Sequence, residues 1–98
     1  MATEDIMLKH NSYHDGKVQS LGYERNGRKQ TVGVIAPGEF QFTTDGAERM
    51  SVVNGELQAR IAPGAWVVYA AGTAFEVPAK TTFGVKASAP TAYWCEFI

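Results

Sequence analysis

Turn signals recur along this chain at intervals too short for helices. Asn26-Gly27, Pro37-Gly38, Asp45-Gly46, Asn54-Gly55, Pro63-Gly64, Ala71-Gly72, Pro78 and Ala89-Pro90 interrupt the sequence roughly every 7–12 residues, a spacing that suits strands. The intervening segments are rich in β-branched and aromatic residues, which fit a pleated, half-buried surface. Strands are expected near residues 16–23, 30–36, 38–44, 48–54, 56–61, 66–70, 73–77, 82–87 and 91–97. So many short strands must hide their edges, and a closed barrel or a two-sheet sandwich does so.

Two of the turns carry a mechanism. Asn-Gly tolerates the positive φ angles of a two-residue type I′ hairpin, whose twist matches that of the flanking strands. Residues 49–53 are therefore expected to pair with 56–61 across Asn54-Gly55, and residues 22–25 with 28–32 across Asn26-Gly27. The opening residues 1–10 are polar and unpatterned and read as a loose arm, leaving residues 11–98 as a single β domain. The segment Tyr93-Trp94-Cys95-Glu96-Phe97-Ile98 is apolar on both faces. One face fills the core. The other, with Trp94 and Ile98, needs cover, which implies a homodimer.

Composition narrows the function classes. With 98 residues the chain is one domain, and 45% hydrophobic against 19% charged residues is a globular balance. Nine Lys+Arg against ten Asp+Glu give no electrostatic footprint for nucleic acid or an anionic membrane. The single cysteine, Cys95, cannot form an intrachain disulfide, and neither a secretory leader nor a membrane-length apolar run is present, so a cytoplasmic location is expected.

Familiar catalytic motifs are missing. The sequence has no Walker loop, no strand–GxGxxG–helix unit and no Ser-centred nucleophile elbow. His10 and His14 are four apart, a metal-gripping spacing only on a helix, and their surroundings read as extended chain and turn. They read as solvent-exposed imidazoles. Cys95, without a paired histidine, reads as a small core residue. The run Arg25-Asn26-Gly27-Arg28-Lys29 is either a solvated hairpin tip or a cationic clamp for phosphate.

Two segments resemble the paired signatures of the cupin superfamily of small β-barrels. The first is Gln41-Phe42-Thr43, four residues, Glu48, six residues, Gly55; the second is Gly72, five residues, Pro78, then Phe83. The resemblance implies an all-β, single-domain, cupin-like jelly-roll β-barrel. Gln41, Thr43 and Phe83 stand where that superfamily carries histidine ligands, and only Glu48 stands at its ligand position. One carboxylate beside a phenyl ring is not a metal site, so no metal and no other cofactor is expected.

A broader likeness runs from Met7 onward. It rests on Asn11-x-Tyr13-x-x-Gly16-Lys17-Val18, Val32-Gly33-Val34, Gly38-Glu39-Phe40-x-Phe42, Glu48-x-Met50, Gly72-x-x-Phe75-x-Val77-Pro78 and Pro90-Thr91-x-Tyr93-x-Cys95. In order and spacing these are similar to the bacterial pyrimidine/purine nucleoside phosphorylase family. The likeness implies a metal-free, dimeric enzyme that cleaves purine and pyrimidine nucleosides with inorganic phosphate, releasing free base and ribose 1-phosphate. The other reading is a non-catalytic module that binds a sugar or nucleotide in the same pocket.

On the barrel reading, Gln41, Thr43, Glu48 and Phe83 converge inside, and Met50 shares the face of Glu48 because side chains two apart on a strand point the same way. Glu48 is the expected catalytic group, as ribose anchor or charge stabiliser; a structural carboxylate bonded to backbone or to Arg60 is the alternative. Gln41, Thr43, Met50, Phe75 and Phe83 are the expected substrate contacts, with Met50 and Phe75 also readable as plain core. Lys17, Arg25 and Arg28, with neighbouring Lys29, are the phosphate candidates.

Overall fold

The computed structural model describes residues 8–98. Ten strands run β1 Lys9–Tyr13, β2 Val18–Arg25, β3 Arg28–Ile35, β4 Gly38–Thr43, β5 Glu48–Asn54, β6 Glu56–Ile61, β7 Val67–Ala70, β8 Ala74–Val77, β9 Thr82–Ala87 and β10 Thr91–Phe97. All pairings are antiparallel, and there is no helix among the described residues. The strands form a six-stranded sheet, β1-β2-β3-β10-β5-β8, and a four-stranded sheet, β4-β9-β6-β7. The two are not hydrogen-bonded into one closed barrel. They enclose a shared core, with the jelly-roll character of a cupin.

The core follows from strand alternation. Val18, Ile35 and Val77 from the large sheet and Leu57 and Val85 from the small one are at most 1% exposed, and each alternates with more exposed neighbours along its strand. At Gly33 alternation alone is not enough. Tyr93 pairs with it across the β3–β10 ladder, and a Cβ built there would sit 2.6 Å from the Tyr93 ring and from the Gln19 carbonyl oxygen. Glycine at 33 lets the Tyr93 ring lie flat into the interior.

The hairpin expected at Asn26-Gly27 forms: β2 and β3 pair from Arg25↔Arg28 onward, and Asn26 and Gly27 have φ of 55° and 72°, as a type I′ turn requires. The hairpin expected at Asn54-Gly55 does not. β5 is flanked by β10 and β8, and β6 by β9 and β7, so β5 and β6 belong to different sheets. Gly55 uses its φ of 98° to carry the chain between sheets against Thr91, whose Oγ1 would lie 2.8 Å from any Cβ at 55. The dipeptide supplied the backbone freedom, and both edges of β5 were already taken.

The opening arm also needs revision. Residues 1–7 lie outside the described residues, but Lys9 and His10 belong to β1, which pairs with β2 from Lys9↔Gly22 to Tyr13↔Val18. β1 is an edge strand with an exposed, polar sequence, so it carries none of the apolar alternation by which the other strands announce themselves.

Candidate active site

A cavity of about 200 Å3 opens into the interior between the sheets. β5 contributes Glu48 and Met50, β10 contributes Tyr93, Cys95 and Phe97, and β9 contributes Phe83. Phe42 and Thr43 at the end of β4, Tyr13 at the end of β1, and Ser20 and Thr31 complete its chemically distinctive lining. Tyr13 and Thr43 are exposed and mark the mouth. There Tyr13 meets Phe42 edge-on at 5.7 Å, and Phe42 leans on Phe83 at 5.9 Å, a row of rings that gives a planar ligand a surface.

The polar end is organised around Glu48. This half-buried carboxylate accepts a hydrogen bond from the Cys95 thiol at 3.4 Å. Burial raises its pKa above the usual carboxylate range, opposed by the Cys95 hydrogen bond and by the field of Lys29. Burial also pushes the Cys95 thiol far up, with Glu48 adding to the shift, so the sulfur stays protonated and serves as a donor. Tyr93 is pushed up to about 12, again chiefly by burial. Its phenol is therefore a neutral hydroxyl. The cavity thus presents one carboxylate, the Cys95 thiol, the hydroxyls of Tyr93, Ser20 and Thr31, and an aromatic flank.

The expected site residues divide accordingly. Glu48, Met50 and Phe83 line the cavity together, while Thr43 reaches only its mouth, its hydroxyl bonded to that of Thr82 at 3.1 Å. Gln41 does not join them. It is exposed on the outer face of the small sheet, because Phe40 and Phe42 take the inward positions of β4, a one-residue difference that reverses the face. Phe75 is buried and stacks on Tyr69 at 4.6 Å, away from the cavity lining. Arg60 is not the partner of Glu48; its Nε donates to the Gly64 carbonyl oxygen at 2.8 Å. His10 and His14 diverge, the first bonded to the Gln19 side chain at 2.9 Å and the second to the Gln41 carbonyl oxygen at 3.2 Å.

Among the phosphate candidates, Lys17 is exposed in the turn between β1 and β2, and Arg25 and Arg28 flank the exposed tip of the β2–β3 hairpin. Lys29 is the cation of that run nearest the cavity: its Nζ lies 5.3 Å from the centre of the Phe97 ring, and Phe97 lines the cavity. Tyr93, Ser20 and Thr31 were missed by the sequence reading. Tyr93 had a usable signal, since it is two residues from Cys95 and so shares its inward face.

No group of three or more His, Cys, Asp or Glu side chains able to hold a metal ion occurs among the described residues. A single carboxylate with a protonated thiol beside it does not form a donor set for a divalent ion.

Comparison with known proteins gives this arrangement a context. The sequence model of the pyrimidine/purine nucleoside phosphorylase family matches residues 8–97. Proteins of that name from Anaeromyxobacter sp. and Sorangium cellulosum are 63% and 58% identical, each over 94% of this chain and over 89% and 100% of the relative. A crystal structure of a protein of unknown function from Vibrio parahaemolyticus superposes with a TM-score of 0.91 at 40% identity, covering 94% of this chain and 99% of its own. A cupin superfamily protein from Desulfitobacterium hafniense, 12% identical with a TM-score of 0.68 over 92% of this chain and 83% of its own, shares the fold. The match along nearly the whole sequence, on a fold whose interior holds the carboxylate and the aromatic flank, settles the assignment: the chain belongs to the pyrimidine/purine nucleoside phosphorylase family.

Proposed function

We propose that this protein is a metal-independent nucleoside phosphorylase working in the cytoplasm as a homodimer, with its reaction centre at Glu48. The observation that carries this reading is a half-buried carboxylate set among neutral donors and aromatic rings in the one interior cavity described, in a chain of this family. In the reaction the C1′–N bond breaks, its electron pair leaves with the base, and a phosphate oxygen bonds to C1′. Positive charge develops on the sugar, and an ionised Glu48 in a partly desolvated site is placed to stabilise it or to hold a ribose hydroxyl.

Size supports a division of labour. A cavity of ~150 Å3 holds a single benzene ring, so about 200 Å3 accommodates a base or a sugar and leaves the remaining groups at the mouth. Phe83, Phe42 and Met50 give the base a surface without reading its edges, which favours acceptance of both purines and pyrimidines. Tyr93 offers a hydroxyl to the sugar, with Thr43 at the mouth. Lys29, beside Phe97, is the favoured phosphate cation, with Lys17, Arg25 and Arg28 as more distant contributors.

The dimer reading rests on the outer face of the large sheet. Leu21, Val32 and Val34 are about half exposed there, and Val32 pairs with both Leu21 and Trp94. Gln30 at the centre accepts hydrogen bonds from the Tyr23 hydroxyl and the Trp94 indole N–H, each at 2.9 Å. These bonds fix two large rings on an apolar surface, which suits an isologous contact.

The direct test incubates purified protein with adenosine, inosine, uridine and cytidine, with and without inorganic phosphate and with EDTA throughout, and quantifies base and ribose 1-phosphate. Phosphate-dependent release that survives EDTA is expected. Saturable nucleoside binding without release would make the protein a binding module.

A further inference from the structure

A second concavity lies on the opposite side of the small sheet from the cavity. It is a groove of about 520 Å3, larger than the interior cavity, and its construction is set by register. Gln41, Gly84 and Arg60 are cross-strand partners on β4, β9 and β6. The absent side chain at 84 leaves a notch between an amide and a guanidinium. Trp66 edges over that notch, its ring carbon Cη2 3.1 Å from where a Cβ at 84 would be, so a side chain there would push the indole aside.

The charges around the groove are few and defined. Arg60 lines it, with Nε committed to the Gly64 carbonyl oxygen. That bond fixes the guanidinium, and among the described residues Arg60 makes no ion pair, so its terminal nitrogens are available as a fork for an oxyanion. Lys86 adds positive charge 4.3 Å from the centre of the Trp66 ring. Glu39 is the acid of the groove, and His14 lies at its β4 edge. Glu39, Gln41 and Thr82 give the floor a carboxylate acceptor, an amide and a hydroxyl. A ligand with hydroxyl donors satisfies the carboxylate, an apolar ring face suits the indole, and an anionic group suits Arg60.

We propose that this groove is a second binding site, for a pentose carrying a phosphomonoester, separate from the cavity that holds Glu48. The assignment does not depend on phosphorolysis in the interior. Phe83 lies between the two sites and lines both, so it is unsuitable as a probe of the groove; Arg60 and Glu48 each belong to one site.

The test is a titration of the intact protein followed by backbone amide resonances, using ribose 5-phosphate, ribose, inorganic phosphate and uridine 5′-monophosphate. Ribose 5-phosphate is expected to saturate shifts at Gln41, Thr82 and Gly84, with ribose and phosphate each at least tenfold weaker. Saturation of the same resonances by uridine 5′-monophosphate would support the site and name a nucleotide as its source. Arg60→Gln should weaken binding at least tenfold with the remaining spectrum retained. Gly84→Ser, which fills the notch, should do the same if Arg60→Gln proves unfolded. Glu48→Gln should leave the titration unchanged. No saturable shift at these three residues, binding indifferent to Arg60→Gln and Gly84→Ser, or binding lost in Glu48→Gln would each overturn the proposal, and none of these results bears on nucleoside cleavage.

Discussion

The Cys95 thiol on β10 donates to Glu48 Oε1 on β5 at 3.4 Å, joining a permanent proton donor to the one carboxylate of the interior cavity. The bond opposes the effect of burial on Glu48. Cys95→Ala removes it and leaves desolvation opposed only by the field of Lys29, so the acid limb of the kcat/KM–pH profile should move to higher pH, whereas Cys95→Ser should hold it near its original position. A profile that does not move in Cys95→Ala would separate Glu48 from the limb.

Glu48 itself should trade activity for stability. Its folded pKa is raised, so the native state binds this proton more tightly than the unfolded chain does. The stabilisation is complete below the unfolded pKa and is lost as pH rises through the folded value. At neutral pH the ionised group therefore opposes folding. Glu48→Gln should raise Tm by a few degrees at neutral pH, not at acidic pH, while kcat/KM falls roughly 10²–10³-fold, the scale of a lost electrostatic contact to a transition state. Parallel thermal melts and phosphorolysis assays check both.

Lys29 should separate from the hairpin-tip arginines. Neutralising it as Lys29→Met should raise the KM for phosphate about tenfold, the effect of about 1.4 kcal/mol, with a smaller change in the KM for nucleoside. Arg25→Met and Arg28→Met should change either value far less, because both side chains flank an exposed turn. Initial rates over a phosphate series distinguish the three.

Phe83→Ala should raise the KM of purine and pyrimidine nucleosides together, roughly tenfold, in line with ~1–3 kcal/mol per base for aromatic stacking. Phe75→Ala should mainly lower Tm, because Phe75 packs on Tyr69 in the core. A purine-only effect at Phe83 would point to edge recognition instead.

Gly33→Ala tests the support of the cavity wall. The new methyl meets the Tyr93 ring and the Gln19 carbonyl oxygen at 2.6 Å, and neither backbone nor a ring in a packed interior yields freely. A loss of ~1–3 kcal/mol is expected, read from urea unfolding.

The strand sequence was legible where one face is buried and the other is not. Segments such as Glu56–Ile61 and Thr82–Ala87 carry an apolar residue at every second position, and their burial follows that pattern. β1 carries no such record, because both of its faces are largely exposed. Pairing was harder to read than strand identity: Asn54-Gly55 has the dihedral freedom of a hairpin, but which edges remain open to β5 depends on β8 and β10, far away in sequence. The same limit governs the site. The resemblance to the cupin signatures pointed to Glu48 and Phe83, alternation added Met50, and all three line the cavity, yet Gln41 fell on the outer face because a resemblance of motifs does not fix the phase of a period of two. Lys29 was one of three clustered cations until the β3–β10 pairing set it beside Phe97.

The position of β10 has a consequence in time. It lies between β3 and β5, with Thr91 paired to Ile35 and Phe97 to Glu48. Until residues 91–97 dock, the β1-β2-β3 meander and the β5-β8 pair are separate fragments, each with an open edge. Contacts of such sequence separation form slowly, after the entropy of closing long loops has been met. The rate-limiting event of folding is thus expected to be insertion of this strand, and a ribosome still translating the region before residue 91 would expose both edges to any other chain able to pair with them.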